Sequence, residues 1–228
     1  MGQPVNVAFT LRTDGRRDYI ERTVQSISDH IKKPFFFSHG VIIDDSGDVS
    51  YADWLDTTFP ELECLHHPER LGLGGCFKSA LDMVLGTDAD YAFLVEDDTP
   101  LIGDIDLTAM AAVLDTHTLL AQLMLMRPPF NTEEIAAGGV YALTPNDFTE
   151  CSDGKVTWTE HSRWYGFQPH LVKRNVIEYI VSNATNFLEL DVTDALKPAG
   201  YNFGYWGGLN DPPLCEHVGT IRSQNYRW

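Results

Sequence analysis

The chain lacks most of the features that would fix its class at once. Its four cysteines, Cys64, Cys76, Cys151 and Cys215, stand far apart, with no CxxC pair. Reduced thiols are therefore expected, and neither a disulfide scaffold nor a zinc knuckle. Bases are scarce: 16 Lys and Arg against 33 Asp and Glu leave a formal net charge of -17, which speaks against a uniformly basic nucleic-acid surface. No run approaches the roughly 18 apolar residues of a membrane span, and the first residues show no basic leader ahead of an apolar core. The expectation is a cytoplasmic protein, in the host cytoplasm if phage-encoded. There is no internal repeat, low-complexity tract, long linker or GK[ST] phosphate loop.

What remains is an ordinary globular composition, 43% hydrophobic and 21% charged over 228 residues. That suffices for one domain burying roughly 70 to 75% of its unfolded surface. Val5 to Thr10, Phe35 to Ile43, Leu62 to Leu65 and Tyr91 to Val95 read as strands, with Arg12 to Gly15 as a turn. Between them Ile20, Val24, Ile27 and Ile31, then Tyr51 to Phe59, then Phe77, Leu81, Val84 and Leu85 read as helices. This alternation predicts an α/β fold with a sheet that is mostly parallel in its first half. Farther on, Leu107 to Leu114 reads as a helix, Leu119 to Met126 as a strand or helix, and Gly138 to Leu143 as a strand. Thr144 to Tyr165 reads as a loop or hairpin, Phe167 to Val172 as a strand, and Asn175 to Val181 and Asp191 to Leu196 as helices.

Charge is unevenly spread, with fourteen acids against the single base Arg127 in 79–154. There the run Tyr91-Ala92-Phe93-Leu94-Val95 ends in Glu96-Asp97-Asp98-Thr99-Pro100. Three adjacent acids at the tip of a buried strand repel one another, and a hard divalent cation would neutralise them. Open α/β sheets bind ligands at that end of their strands. The second strand also ends in acids, Asp44-Asp45-Ser46-Gly47, which taken alone read as a common turn. Arg70-Leu71-Gly72-Leu73-Gly74-Gly75 enters a helix without matching GxGxxG. Its backbone N–H groups, with Arg70 and Lys78, would suit a diphosphate, or the segment is a plain turn with Lys78 on a solvated face. Trp158, His161, Arg163, Trp164, Tyr165, Phe167, Lys173 and Arg174 form an aromatic and basic cluster. It is either an acceptor surface, with Trp164 and Tyr165 foremost, or aromatic core with snorkelling bases.

In this order the chain resembles the nucleotide-sugar glycosyltransferases of the GT-A fold, most closely the family-2-like group, over most of its length. The resemblance implies a Rossmann-like three-layer α/β/α sandwich with a mostly parallel central sheet. It also implies a single domain, 1–228, with a donor-binding half, 1–100, and an acceptor-binding half, 101–228. Glu96-Asp97-Asp98 then takes the place of the family's DxD metal motif in an EDD form. Asp98 becomes a ligand of Mn²⁺ or Mg²⁺, and Glu96 and Asp97 support the nucleotide sugar. Asp45, Arg70, Gly72 and Lys78 fall at donor contacts, and Thr10 and Arg12 where the family lines its base pocket. Glu189-Leu190-Asp191, ahead of Ala199-Gly200-Tyr201, resembles the segment carrying the catalytic base of inverting members, with Glu189 preferred and Asp191 in reserve. His217, in a His-x-Gly ending, matches an additional metal ligand that would favour manganese. Arg222 in the following tail is a candidate clamp on the diphosphate.

The expected activity is metal-dependent transfer of a sugar from a nucleoside diphosphate sugar to an acceptor hydroxyl, with inversion. The acceptor is open among a glycan, a glycoconjugate, a small molecule and a hydroxymethylated DNA base. A nucleotidyltransferase would share the acids and the metal, but the chain has no GxGxxRxxPK-like N-terminal loop. A catalytically silent sugar-binding domain is the third reading.

Overall fold

Alternation along the first strand sorts the chain into layers. In the computed structural model, which describes residues 5–32 and 37–219, β1 (Val7–Thr13) is buried along its whole length. Val7, Phe9 and Leu11 enter one apolar cluster and Ala8 another, as the two-residue period of a strand requires. β1 runs parallel to β2 (His39–Asp44) and β4 (Tyr91–Glu96) on either side, and β2 carries β3 (Glu63–His66) at the sheet edge. Beyond β4 follow β8 (His170–Lys173), β5 (Leu120–Leu125), β9 (Asn202–Trp206), β7 (Thr157–His161) and β6 (Phe148–Ser152). Among the described residues only β8 and β7 oppose the rest, so seven of these nine strands point one way.

Helices α1 (Arg17–His30), α2 (Val49–Thr58) and α4 (Leu107–Thr116) cover the Phe9 face through Ile20, Ile27, Tyr51, Leu55, Met110 and Leu114. Helices α3 (Gly72–Leu85), α7 (Arg174–Asn183) and α8 (Glu189–Leu196) cover the other face through Phe77, Leu81, Ile177, Ile180, Val192 and Leu196. The result is the expected three-layer α/β/α arrangement. Local chemistry sets the helix starts: Asp48 accepts from the Ser50 N–H at 2.8 Å and Asp106 from the Ala109 N–H at 2.9 Å, each such cap contributing about 1 kcal/mol. Gly74 lets α3 close on the α7–α8 connection, since a Cβ there would lie 2.0 Å from the Asn186 carbonyl oxygen.

Three segments differ from the sequence expectation. β1 runs on through Arg12 and Thr13, which read as a turn. Residues 138–143 form no strand: α5 (Thr132–Ala137) ends at Gly138, with φ 90°, and the short α6 (Val140–Leu143) follows. Asn131 accepts from the Glu134 N–H at 2.8 Å while the Glu134 carboxylate accepts from Asn131 Nδ2 at 3.0 Å, and this reciprocal pair starts a helix. β9 was not expected, because Asn202-Phe203-Gly204-Tyr205-Trp206 carries a glycine at its centre and little polar alternation. Phe35 and Phe36, read as part of the second strand, lie outside the described residues.

Two buried histidines contribute to the acid limit of the fold. His170 Nδ1 donates to the Gln168 carbonyl at 2.7 Å and Nε2 accepts from the Tyr165 hydroxyl at 2.7 Å, the pattern of a neutral ring. Burial pulls its imidazole down to about 3, and that of His161 down to about 4 with Arg163 acting in the same direction. Both lie below the unfolded value of about 6.5, so the unfolded chain takes up these protons first as the pH falls. Their contribution is full above about 6.5 and is lost toward the folded values. The urea-unfolding free energy should fall below pH 6.5 by up to about 1.4 kcal/mol per pH unit for each histidine. His161→Phe should flatten that slope, and an unchanged slope would refute the assignment.

Candidate active site

β4 delivers Glu96, Asp97 and Asp98 to the C-terminal edge of the parallel strands, where each acid finds different partners. Glu96 pairs with Arg12 at 3.3 Å, and the Arg12 guanidinium, 4% exposed, lies against the Phe77 and Phe167 rings at 5.0 and 4.8 Å, the two rings being stacked on each other at 4.3 Å. Asp97 is fully buried and accepts from the Thr13 hydroxyl at 2.7 Å, which itself accepts from the Tyr51 hydroxyl at 2.7 Å. Arg16, just before α1, spans the group: Nη2 bonds Asp97 Oδ1, Nη1 lies 2.8 Å from Asp98 Oδ2 and Nε 3.0 Å from Asp14 Oδ1. Desolvation and the neighbouring carboxylates push Glu96 and Asp97 above the usual carboxylate range, against the pull of Arg12 and Arg16 respectively. A cleft lined by Arg12, Thr13, Asp14, Arg16, Leu73, Cys76, Glu96 and Asp97 opens beside them.

The segment after β9 returns to the same strand end. The Val218 N–H donates to the Asp98 carbonyl at 2.9 Å, and His217 Nε2 comes to 4.0 Å from Asp98 Oδ2. His217 Nδ1 is buried with no partner, and the ring packs on Phe130 at 4.0 Å. Desolvation lowers its pKa, which keeps the ring in the neutral, ligating form. Gly219 passes so close that a Cβ would sit 2.3 Å from Asp98 Oδ2, so any other residue there would displace the Asp98 carboxylate.

At the start of α8, Glu189 is open to solvent on one side, while its Oε1 accepts from the Phe167 N–H at 2.7 Å. Desolvation raises its pKa, opposed by the Phe167 bond and by Arg12 and Arg127, and its charge is felt at Glu96. Asp191 instead accepts from Asn186 Nδ2 at 3.3 Å on the α7–α8 connection. Glu189 is thus electrostatically coupled to the acids of β4, while the Asp191 carboxylate is bonded to the α7–α8 connection.

Several residues expected at the donor are held by the fold itself. Asp45 is 1% exposed; its carboxylate accepts from the Leu71 and Gly72 N–H groups at 2.7 and 2.9 Å and bonds His67 Nδ1 at 2.9 Å. It anchors α3 to β2, and it occupies the Leu71 and Gly72 N–H groups that were expected to cradle a phosphate. Arg70 joins two loops, its Nε donating to the Ser46 carbonyl at 3.1 Å and its Nη2 to the Asp14 carbonyl at 3.3 Å. Lys78 pairs with Asp82 one turn on and lies over the Phe187 ring at 5.8 Å. Thr10 is buried in β1 with an unpartnered hydroxyl. Tyr165 is a core residue, fully buried with its hydroxyl on His170, whereas Trp164 is partly exposed, with Arg163 over its ring at 5.9 Å. Arg222 lies outside the described residues.

Sequence reasoning missed Arg16 and Tyr51. The available signal for Arg16 was its place directly after the turn that ends β1, the strand beside β4.

The sheet order and the helices on both faces define a Rossmann-like α/β fold. No family model and no curated protein matches the chain. Among solved structures it is similar to the mannosyltransferase PcManGT from Pyrobaculum calidifontis, determined in complex with GDP-Man and Mn2+. The TM-score is 0.61 at 14% identity over 96% of this chain, which spans 58% of the length of that one. At that identity the likeness is one of fold. Among the described residues no helix is long and apolar enough to cross a membrane.

The roles of Asp45 as an anchor and as a ligand contact are separable. Asp45→Ala should destabilise the ligand-free protein by about 2 to 4 kcal/mol in urea unfolding, because buried N–H groups and His67 lose a charged acceptor. A variant as stable as the parent would return Asp45 to a purely ligand-binding role.

Proposed function

We propose that this chain transfers a sugar from a nucleoside diphosphate sugar to an acceptor hydroxyl, with a divalent cation at Asp98 and His217 and inversion at the anomeric carbon. The observation that carries this reading is the meeting of His217 Nε2 with Asp98 Oδ2 at 4.0 Å, beside an orphaned Nδ1. That separation is too long for a hydrogen bond and short enough for both atoms to reach one ion. An imidazole nitrogen with carboxylate oxygen suits Mn²⁺ somewhat better than Mg²⁺, and the structural neighbour was determined with Mn2+. When bound, such an ion offsets the charge of the departing diphosphate.

Asp98 and His217 would hold such an ion, with Arg16 kept in place by Asp97 and Asp14. Glu189 takes the proton of the acceptor hydroxyl, its carboxylate oriented by the Phe167 N–H. Its raised pKa makes it a stronger base than a solvated glutamate. Trp164 and Arg163 mark the acceptor side. The acceptor class stays open among a glycan, a glycoconjugate, a small molecule and a modified DNA base. GDP-mannose is the first donor to try, because the structural neighbour holds GDP-Man.

A panel of UDP-, GDP-, CDP- and TDP-sugars, with and without Mn²⁺, tests the reading by melting shift and donor hydrolysis. At least one donor should raise Tm in a Mn²⁺-dependent way; Asp98→Asn should abolish that shift. Glu189→Gln should keep it while lowering kcat by roughly 10²- to 10⁴-fold. A chain silent to every donor would end this proposal, and pyrophosphate release from NTPs would establish nucleotidyl transfer instead. Because the base works deprotonated, kcat/KM should rise with pH through an acid limb lying above the ordinary glutamate value of about 4.3.

Arg16→Gln separates the guanidinium from the ion. Without metal the variant should lose about 1 to 3 kcal/mol, a range held low by the partial exposure of Arg16. Added Mn²⁺ should then raise its Tm more than that of the parent. Equal shifts in the two proteins would show that Arg16 and the ion do not compete.

A further inference from the structure

The outer edge of the parallel strands carries a cluster that sugar transfer does not use. On β3, Cys64 and His66 are two residues apart and so share one face of the strand. Asp56, in the last turn of α2, meets them there. One ligand atom from each of Asp56, Cys64 and His66 lies within 4.8 Å of the other two. His66 Nε2 is 3.1 Å from Asp56 Oδ1 and Nδ1 is 3.0 Å from Asp44 Oδ2. Asp44 is 1% exposed, and the parallel register sets it directly opposite His66. A buried carboxylate accepting from Nδ1 turns Nε2 toward Asp56 and Cys64, the outer-ligand contact that orients histidines on metal ions.

We propose that Asp56, Cys64 and His66 form a site for Zn²⁺ or a similar thiolate-binding divalent ion, with water as the fourth ligand. A sulfur, an imidazole nitrogen and one carboxylate oxygen in mutual reach match the donor preferences of Zn²⁺. They do not match those of Mg²⁺, which takes oxygen. Asp56 is exposed and Cys64 and His66 are half-buried, so an ion can enter and a fourth position can face solvent. The ion would pin β3, which pairs on one side only, to α2, and its binding free energy would appear as stability of that edge. The site is independent of the donor site, since it shares none of Asp98, His217 and Glu189.

Co²⁺ added to the metal-free protein should give a thiolate-to-cobalt charge-transfer band, which Zn²⁺ displaces. The band should vanish in Cys64→Ser, weaken by at least about tenfold in apparent affinity in His66→Gln, and persist in Asp98→Asn. An ion at Asp98 and His217 has no thiolate and gives no such band, so failure here is distinct from failure of the sugar-transfer reading. If Cys64→Ser folds poorly, the parent protein decides the matter. Zn²⁺ should slow alkylation of Cys64 by iodoacetamide at least about tenfold, with Cys151 unchanged, as read by peptide mass spectrometry. Absence of both band and protection, or a band that survives in Cys64→Ser, would overturn the site.

Discussion

The contact on which the rest of this molecule depends is the Arg16 guanidinium among Asp14, Asp97 and Asp98. Two like charges about 4 Å apart repel by about 4 kcal/mol at an effective dielectric of 20, and Asp97 has no water to relieve it. Either a positive charge stands beside these acids or one of them holds a proton, which is the direction in which burial pushes Glu96 and Asp97. Arg16 supplies that charge when the site is free, and the position of α1 follows, because that helix begins one residue later. Asp97 fixes more than charge: its carbonyl accepts from Thr23 on α1 at 2.6 Å, and its carboxylate reaches Tyr51 on α2 through Thr13. One buried acid thus keys two helices to the tip of β4.

Much of the first half was legible because each βα unit repeats a strong apolar period and then a polar strand end. The acids of β4 could be found for the same reason, since three in a row at a strand tip have few structural uses. Arg16 was not legible, because an arginine at a helix start opposes the helix dipole and reads as a solvated residue. Asp45, Lys78 and Tyr165 illustrate the reverse limit. Position at a strand end or in an aromatic cluster cannot tell whether a polar atom is free or already bonded within the fold, and Asp45 is occupied by Leu71, Gly72 and His67. The helices at 132–143 and the strand β9 were hidden by glycines, which erase period signals whichever element they sit in.

The two sides of the cleft are joined through Arg12. Its guanidinium reaches Glu96 at the end of β4 and lies against Phe77 of α3 and Phe167 of the 165–167 loop. That loop is held to α8 twice, by the Tyr165 N–H on Thr193 Oγ1 at 2.8 Å and the Phe167 N–H on Glu189 at 2.7 Å. A buried guanidinium packed against a stacked pair of rings has little freedom to move. The spacing between the acids of β4 and Glu189 is therefore set by packing.

His217 reaches Asp98 by different means, mainly through the backbone, with its ring on Phe130 and the neighbouring Glu216 paired to Arg22 at 2.6 Å. Leu101 bridges Cys215, the Ile102 N–H donates to the Leu214 carbonyl at 2.9 Å, and the Val218 N–H to the Asp98 carbonyl at 2.9 Å. These are backbone contacts, so the register of the returning segment against 98–102 survives most changes of side chain. Glycine at position 219 is the exception, because there the chain passes against the Asp98 carboxylate itself. The most sequence-sensitive residue of the strap is thus the one that carries no side chain, and its tolerance is decided by how far Asp98 can move without leaving Arg16 or His217.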